Sequence, residues 1–214
     1  MGKEYKTVEK YAEGEIVIEK SRFIGYVQPV KNEDEAEGFV AMIKNKHKEA
    51  THNVPVYLLG EDYKVQRYSD DGEPSGTAGI PVLEMLKKEG ITNIAVVITR
   101  YFGGIKLGTG GLVRAYTNTA KLALDHAGII KKIEHQLNKV NIDYTFLGKV
   151  QSELLNKGYI IKDIDFSDRV DIYVYSQCEK TLDLNNILVN LTNGQCHIEN
   201  LDIEYISFKN GEKV

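Results

Sequence analysis

The chain has 214 residues, enough for one large or two small domains, and its 42% hydrophobic and 27% charged residues are those of an ordinary globular protein. A formal net charge of −4 excludes a protein that coats nucleic acid non-specifically, while leaving room for a local basic patch. Two cysteines without metal-ligand spacing, five scattered histidines and no apolar run of about twenty residues argue for a reduced, cytoplasmic protein with no membrane span and no metal site.

In chain order, residues 15–19 and 22–30 read as two short strands joined through Lys20-Ser21. Residues 32–48 form a charged helix, which Asn32 or Asp34 can cap, with Ala36, Phe39, Val40 and Ile43 as its apolar stripe. Residues 54–59 are a strand with Pro55 near its start, and 63–68 a hairpin partner. The string SDDGEPSGTAG (69–79) consists of turn formers and small polar residues and feeds a second helix, with Pro81 in its first turn. Asp70, Asp71 and Glu73 are either solvated turn carboxylates or donors to a divalent cation, and the turn reading is preferred. His52 reads as a structural histidine.

The stretch 91–127 organises the rest. NIAVVIT (93–99) is an almost unbroken β-branched and apolar run, which suits a strand buried on both faces. RYFGGIKLGTGG follows, with Gly103, Gly104, Gly108, Gly110 and Gly111 between and beyond Arg100 and Lys106. So many glycines permit positive φ or a close backbone approach to something bulky. The loop opens into a helix with Leu112, Tyr116, Ala120, Ala123 and Ala127 on its apolar face and Arg114, Asn118, Lys121 and Asp125 on the other. A helix start of this kind attracts anions. Arg114, read as lying in the first turn, therefore needs either an internal carboxylate or an external anion. The string is neither a Walker loop nor a G-x-G-x-x-G fingerprint.

A boundary falls near 128–132, dividing the chain into 1–130 and 131–214. Split near Ile130, the parts carry 17 basic against 18 acidic residues and 10 against 13, so neither is strongly basic. The second part reads as strand 135–144, helix 145–157, strand 159–165, strand 170–177, helix 182–191 and strand 197–206. That βαββαβ order is the ferredoxin-like unit.

Three segments, KSRFIGYV (20–27), SDDGEPSGTAGIP (69–81) and VITRYFGGIKLGTGGLVRAY (97–116), resemble the IMPACT family, whose bacterial branch is the YigZ/YvyE group. The resemblance implies an α+β chain: a ribosomal protein S5 domain 2-like first domain, then a ferredoxin-like second domain similar to an elongation factor G domain. Eukaryotic members regulate translation through an additional amino-terminal domain that has no counterpart here. Carried over by motif position, Lys20, Arg22, Arg100, Lys106 and Arg114 are the expected ligand-facing cations. Ser75, Thr77 and the five glycines form the expected backbone cradle.

These readings give a non-enzymatic, translation-associated regulator that binds RNA, the ribosome or a translation factor, without cofactor, metal or catalytic residue, as a monomer or weak oligomer. The alternative is a protein that binds a nucleotide or small phosphorylated ligand, with or without turnover, as some S5-like proteins do. A third reading is a protein-interaction module whose glycines are structural.

Overall fold

The computed structural model describes residues 3–214. Contacts divide the chain into two units, one formed by Tyr5–Lys131 with Lys209–Gly211, the other by Lys132–Phe208 with residues from both ends of the chain.

In the first unit β1 (Glu4–Val8) precedes the hairpin of β2 (Ala12–Ile18) and β3 (Ser21–Pro29). The hairpin turns through Glu19 and Lys20, whose φ of 46° and 63° are both left-handed, the requirement of the primed turns that match strand twist. Helix α1 (Glu33–Lys46) begins where its cap is written: the Asn32 side chain accepts from the Glu35 amide at 2.9 Å. Strands β4 (His52–Leu59) and β5 (Val65–Tyr68) follow. The Pro55 carbonyl still serves the ladder, accepting from the Ser69 amide at 3.1 Å just past the last β4–β5 pair. Then come α2 (Gly79–Glu89), β6 (Ile94–Tyr101) and α3 (Gly108–Ala127).

The sheet runs β2-β3-β6-β4-β5 with antiparallel neighbours, placing the apolar run of β6 at its centre. Alternate β6 residues feed two cores. Ile94, Val96 and Ile98 pack with α2 and α3, and Ala95 and Val97 with Phe39 and Ile43 of α1. Burial of the strand on both faces follows from this double cover. Helix α3 buries Leu112, Tyr116, Ala120, Ala123 and Ala127 and exposes Arg114, Asn118, Lys121 and Asp125, as its periodicity requires. In α2, Val82, Leu83 and Leu86 are buried and Ile80 is exposed.

The two units meet in the chain within the expected 128–132 range, inside a strand. Gly128 ends α3, and β7 (Ile129–Ile142) starts at once and passes from one unit to the other between Lys131 and Lys132. The second unit continues with a 3-10 turn, α4 (Leu147–Asn156), β8 (Ile160–Phe166), β9 (Val170–Gln177), a second 3-10 turn, α5 (Thr181–Thr192), β10 (His197–Lys209) and β11 (Glu212–Lys213). Its strand order is β11-β10-β7-β9-β8, with β1 also pairing β7. One face is covered by α4 and α5 over Val140, Ile142, Ile172 and Val174. Among the described residues no helix is long and apolar enough to cross a membrane.

Candidate functional site

The ends of β2, β6 and α1 and the starts of β3, β4, α2 and α3 lie at one end of the first sheet, because Arg100 at the end of β6 pairs with Phe23 and His52 at the starts of β3 and β4. All three motif segments meet there. At their centre is a buried polar cluster. The Glu73 carboxylate, 3% exposed, accepts from Arg100 Nη1 at 2.6 Å and from the Tyr116 hydroxyl at 2.7 Å, and His52 Nε2 stands 3.7 Å away. Arg100 lies over the Phe23 and Phe102 rings, and its Nε has no hydrogen-bond partner among the described residues. Burial first, and then the Glu73 hydrogen bond, push the Tyr116 hydroxyl far above its ordinary range, so it remains a donor.

This corrects the reading of Arg100 as a ligand-facing cation. It is buried and its charge is met by Glu73. Arg22 is also redirected: it pairs with Glu15 at 2.8 Å and lies over Tyr101, on the α1 face of the sheet. The Ser75/Thr77 cradle is closed. Thr77 is buried with its hydroxyl on the Pro74 carbonyl, and the amides of Gly76, Ala78 and Gly79 are all taken by the Asp70 carboxylate at 2.8–3.1 Å. The start of α2 thus carries its own anion. Ser75 is exposed. Asp71 is spent on Lys44 and on the Asn53 amide. His52 Nδ1 lies 2.8 Å from the Asp71 carbonyl.

The start of α3 is built the other way. Gly108, Gly110 and Gly111 lie in its first turn rather than in a loop, with Gly108 at φ 69°. Among the described residues that turn has no side-chain cap, it contains no acidic residue, and Gly108, Thr109 and Gly110 are exposed. Arg114 sits one turn further along than expected, exposed and with no ion pair to any described residue. Lys106 and Lys20 are likewise exposed and unpaired among the described residues. Ser21 sets the spacing of this rim: its Oγ accepts from the Gly103 amide at 3.1 Å and faces Arg100 Nη2 at 3.4 Å. A Cβ on Gly103 would stand 2.0 Å from the Lys20 carbonyl carbon, so only glycine allows this approach of the hairpin turn. Gly104 has φ 86° and open space around it.

Sequence reasoning missed Asp70 as the α2 cap because it lies eight and nine residues before the amides it binds, outside any local capping pattern. It missed Ser21 for the same reason, with the Gly103 amide 82 residues away.

Residues 19–124 match the model of the Impact N-terminal domain, and residues 140–195 match a domain of unknown function, DUF1949. The IMPACT family member YvyE of Bacillus subtilis (strain 168) is 43% identical over 202 residues, covering 94% of this chain and 93% of that protein. YigZ of Escherichia coli (strain K12), named in the same family, is 35% identical over 154 residues, 66% of this chain and 74% of its own. A crystal structure titled only as that of a hypothetical protein aligns with 94% of this chain and 98% of its own, at 28% identity and a TM-score of 0.59.

Proposed function

The chain belongs to the IMPACT family, and from that premise we propose that it is a translation-associated regulator that binds RNA, on the ribosome or free, at the start of α3. The observation that carries this reading is the contrast between two neighbouring helix starts. That of α2 is filled by Asp70, whereas that of α3 presents uncapped amides flanked by Lys20, Lys106 and Arg114, none of them neutralised by a described residue. Cations beside a helix N-terminus oppose its dipole, and an incoming phosphate relieves both at once. The rim is exposed, which suits an extended phosphate backbone better than one enclosed small ligand. The domain assignments belong to the same proposal: 1–130 as S5 domain 2-like and 131–214 as ferredoxin-like, similar to an elongation factor G domain. The βαββαβ order with β7 and β9 central supports the second.

Ribosome co-sedimentation across a salt series tests the reading, comparing the wild type with Lys20→Ala/Lys106→Ala/Arg114→Ala. Three phosphate contacts on single-stranded RNA give a log–log salt slope of about −2. The triple variant should lose the salt-sensitive pelleting while keeping its thermal midpoint. No pelleting of the wild type at any salt, or pelleting unchanged in the variant, overturns it.

A further inference from the structure

A cavity of about 310 Å³ lies in the first unit, on the face of the sheet opposite the buried Arg100–Glu73 pair. Helix α1 covers β6 and β4 on that face and packs on Ile24 and Tyr26 of β3, and the cavity lies beside its carboxyl end, where Lys46 and His47 reach it. Ile24 and Tyr26 form the floor. The walls carry two cations, Arg22 and Lys46, two carboxylates, Glu13 and Glu15, and the imidazole of His126, whose Nδ1 lies 2.8 Å from the Glu13 carbonyl.

The charges alternate. Arg22 meets Glu15 at 2.8 Å and Lys46 meets Glu13 at 3.5 Å, and all four side chains are about half exposed. His47 also lines the cavity and continues a chain of hydroxyls and imidazole: the Tyr26 hydroxyl is 2.6 Å from His47 Nε2, and His47 Nδ1 is 2.8 Å from the Tyr101 hydroxyl. Burial, and then Lys46 and Arg22, hold His47 below the usual histidine range, so the floor adds no net charge. The cations also lie over aromatic faces, Lys46 4.8 Å from the Tyr26 centroid and Arg22 5.8 Å from that of Tyr101.

We propose that this cavity binds a small zwitterion, a molecule with an anionic head and an ammonium group a few bonds apart. The anionic head is taken by Arg22 and Lys46 and the ammonium by Glu13 and Glu15. A simple anion would draw the two cations off their partners and leave beside it Glu15 without its cation and Glu13 with only the Tyr11 hydroxyl, and a simple amine would strip both cations of their carboxylates. A zwitterion exchanges pair for pair. Half-exposed ion pairs are individually weak, so the exchange meets little resistance. The volume lies at the lower end of the range for ligand pockets and suits a guest of about ten heavy atoms. This site is independent of the α3 rim and does not rest on the RNA reading.

The test is a ¹H–¹⁵N NMR titration of the full chain with L-serine and with O-phosphoethanolamine, followed at the amides of Gly14, Glu15 and Ile24. Acetate, inorganic phosphate and methylammonium serve as single-charge controls. The two zwitterions separate a carboxylate head from a phosphate head, and saturable shifts with either one support the site. Both Arg22→Gln/Lys46→Gln and Glu13→Gln/Glu15→Gln should weaken that binding about tenfold or more, as expected for losing charge-assisted hydrogen bonds. Thermal midpoints and unperturbed amides in β6 confirm that the variants fold. Arg22→Lys/Lys46→Arg, which keeps both charges, should retain binding. Absence of saturable shifts with both zwitterions overturns the proposal. So does phosphate binding as tightly as the zwitterions, or more tightly once Glu13 and Glu15 are neutralised, which would mark an anion site.

Discussion

Glu73 shows how far a residue's role can lie from its sequence surroundings. In SDDGEPSGTAG it reads as one more turn carboxylate, yet it is the acceptor that ties the end of β6 to α3 through Arg100 and Tyr116. The type of charge on Arg100 was legible, but its partner, 27 residues away, was not. Removing one member of a buried pair strands the other charge. Glu73→Ala should therefore cost about 3–5 kcal/mol in urea unfolding, and Tyr116→Phe, which loses one hydrogen bond to a charged acceptor, about 1.5–3 kcal/mol. Equal, small losses in both would mean that the cluster is solvated in solution. His47 gives a pH dependence whose sign is fixed. Its folded pKa lies below the ordinary value near 6.5 because burial, Lys46 and Arg22 disfavour the imidazolium. The unfolded chain therefore takes up a proton that the folded chain refuses, and stability falls as pH drops through about 6.5. Thermal midpoints from pH 8 to pH 5 should show this decline, with a shallower slope in His47→Gln.

Among the elements, those written in local periodicity were readable, and those decided by distant partners were not. The apolar run of β6 and the two faces of α3 follow directly from residue order, as does the Asn32 cap of α1. The start of α3 was misread because glycines suggest a loop, and only tertiary support makes Gly108–Gly111 helical. β1 went unread, since EYKTV has no strong alternation and gains its ladder from β7. At Gly103 the prediction concerns the whole junction. Gly103→Ala drives a methyl into the Lys20 backbone, so the hairpin turn and the start of α3 should separate. Amide exchange should accelerate in residues 19–22 and 103–112 while β6 stays protected. Unchanged protection at both segments would show that the backbone absorbs the methyl elsewhere.

At the scale of the molecule, a net charge of −4 coexists with a rim where three cations stand unpaired among the described residues. Global charge excluded broad nucleic-acid coating, but it could not reveal that Arg22 and Arg100 are neutralised internally while Lys20, Lys106 and Arg114 are not. That sorting needs coordinates. β7 runs unbroken through 131/132, and Lys209–Gly211 returns to the first unit, where Lys209 meets Glu9 at 2.7 Å and its Nζ would lie 2.8 Å from a Cβ on Gly128. A single cut in the polypeptide therefore cannot release either half whole. A gene fragment ending at residue 130 would encode a first unit lacking its closing clasp and the remainder of a strand.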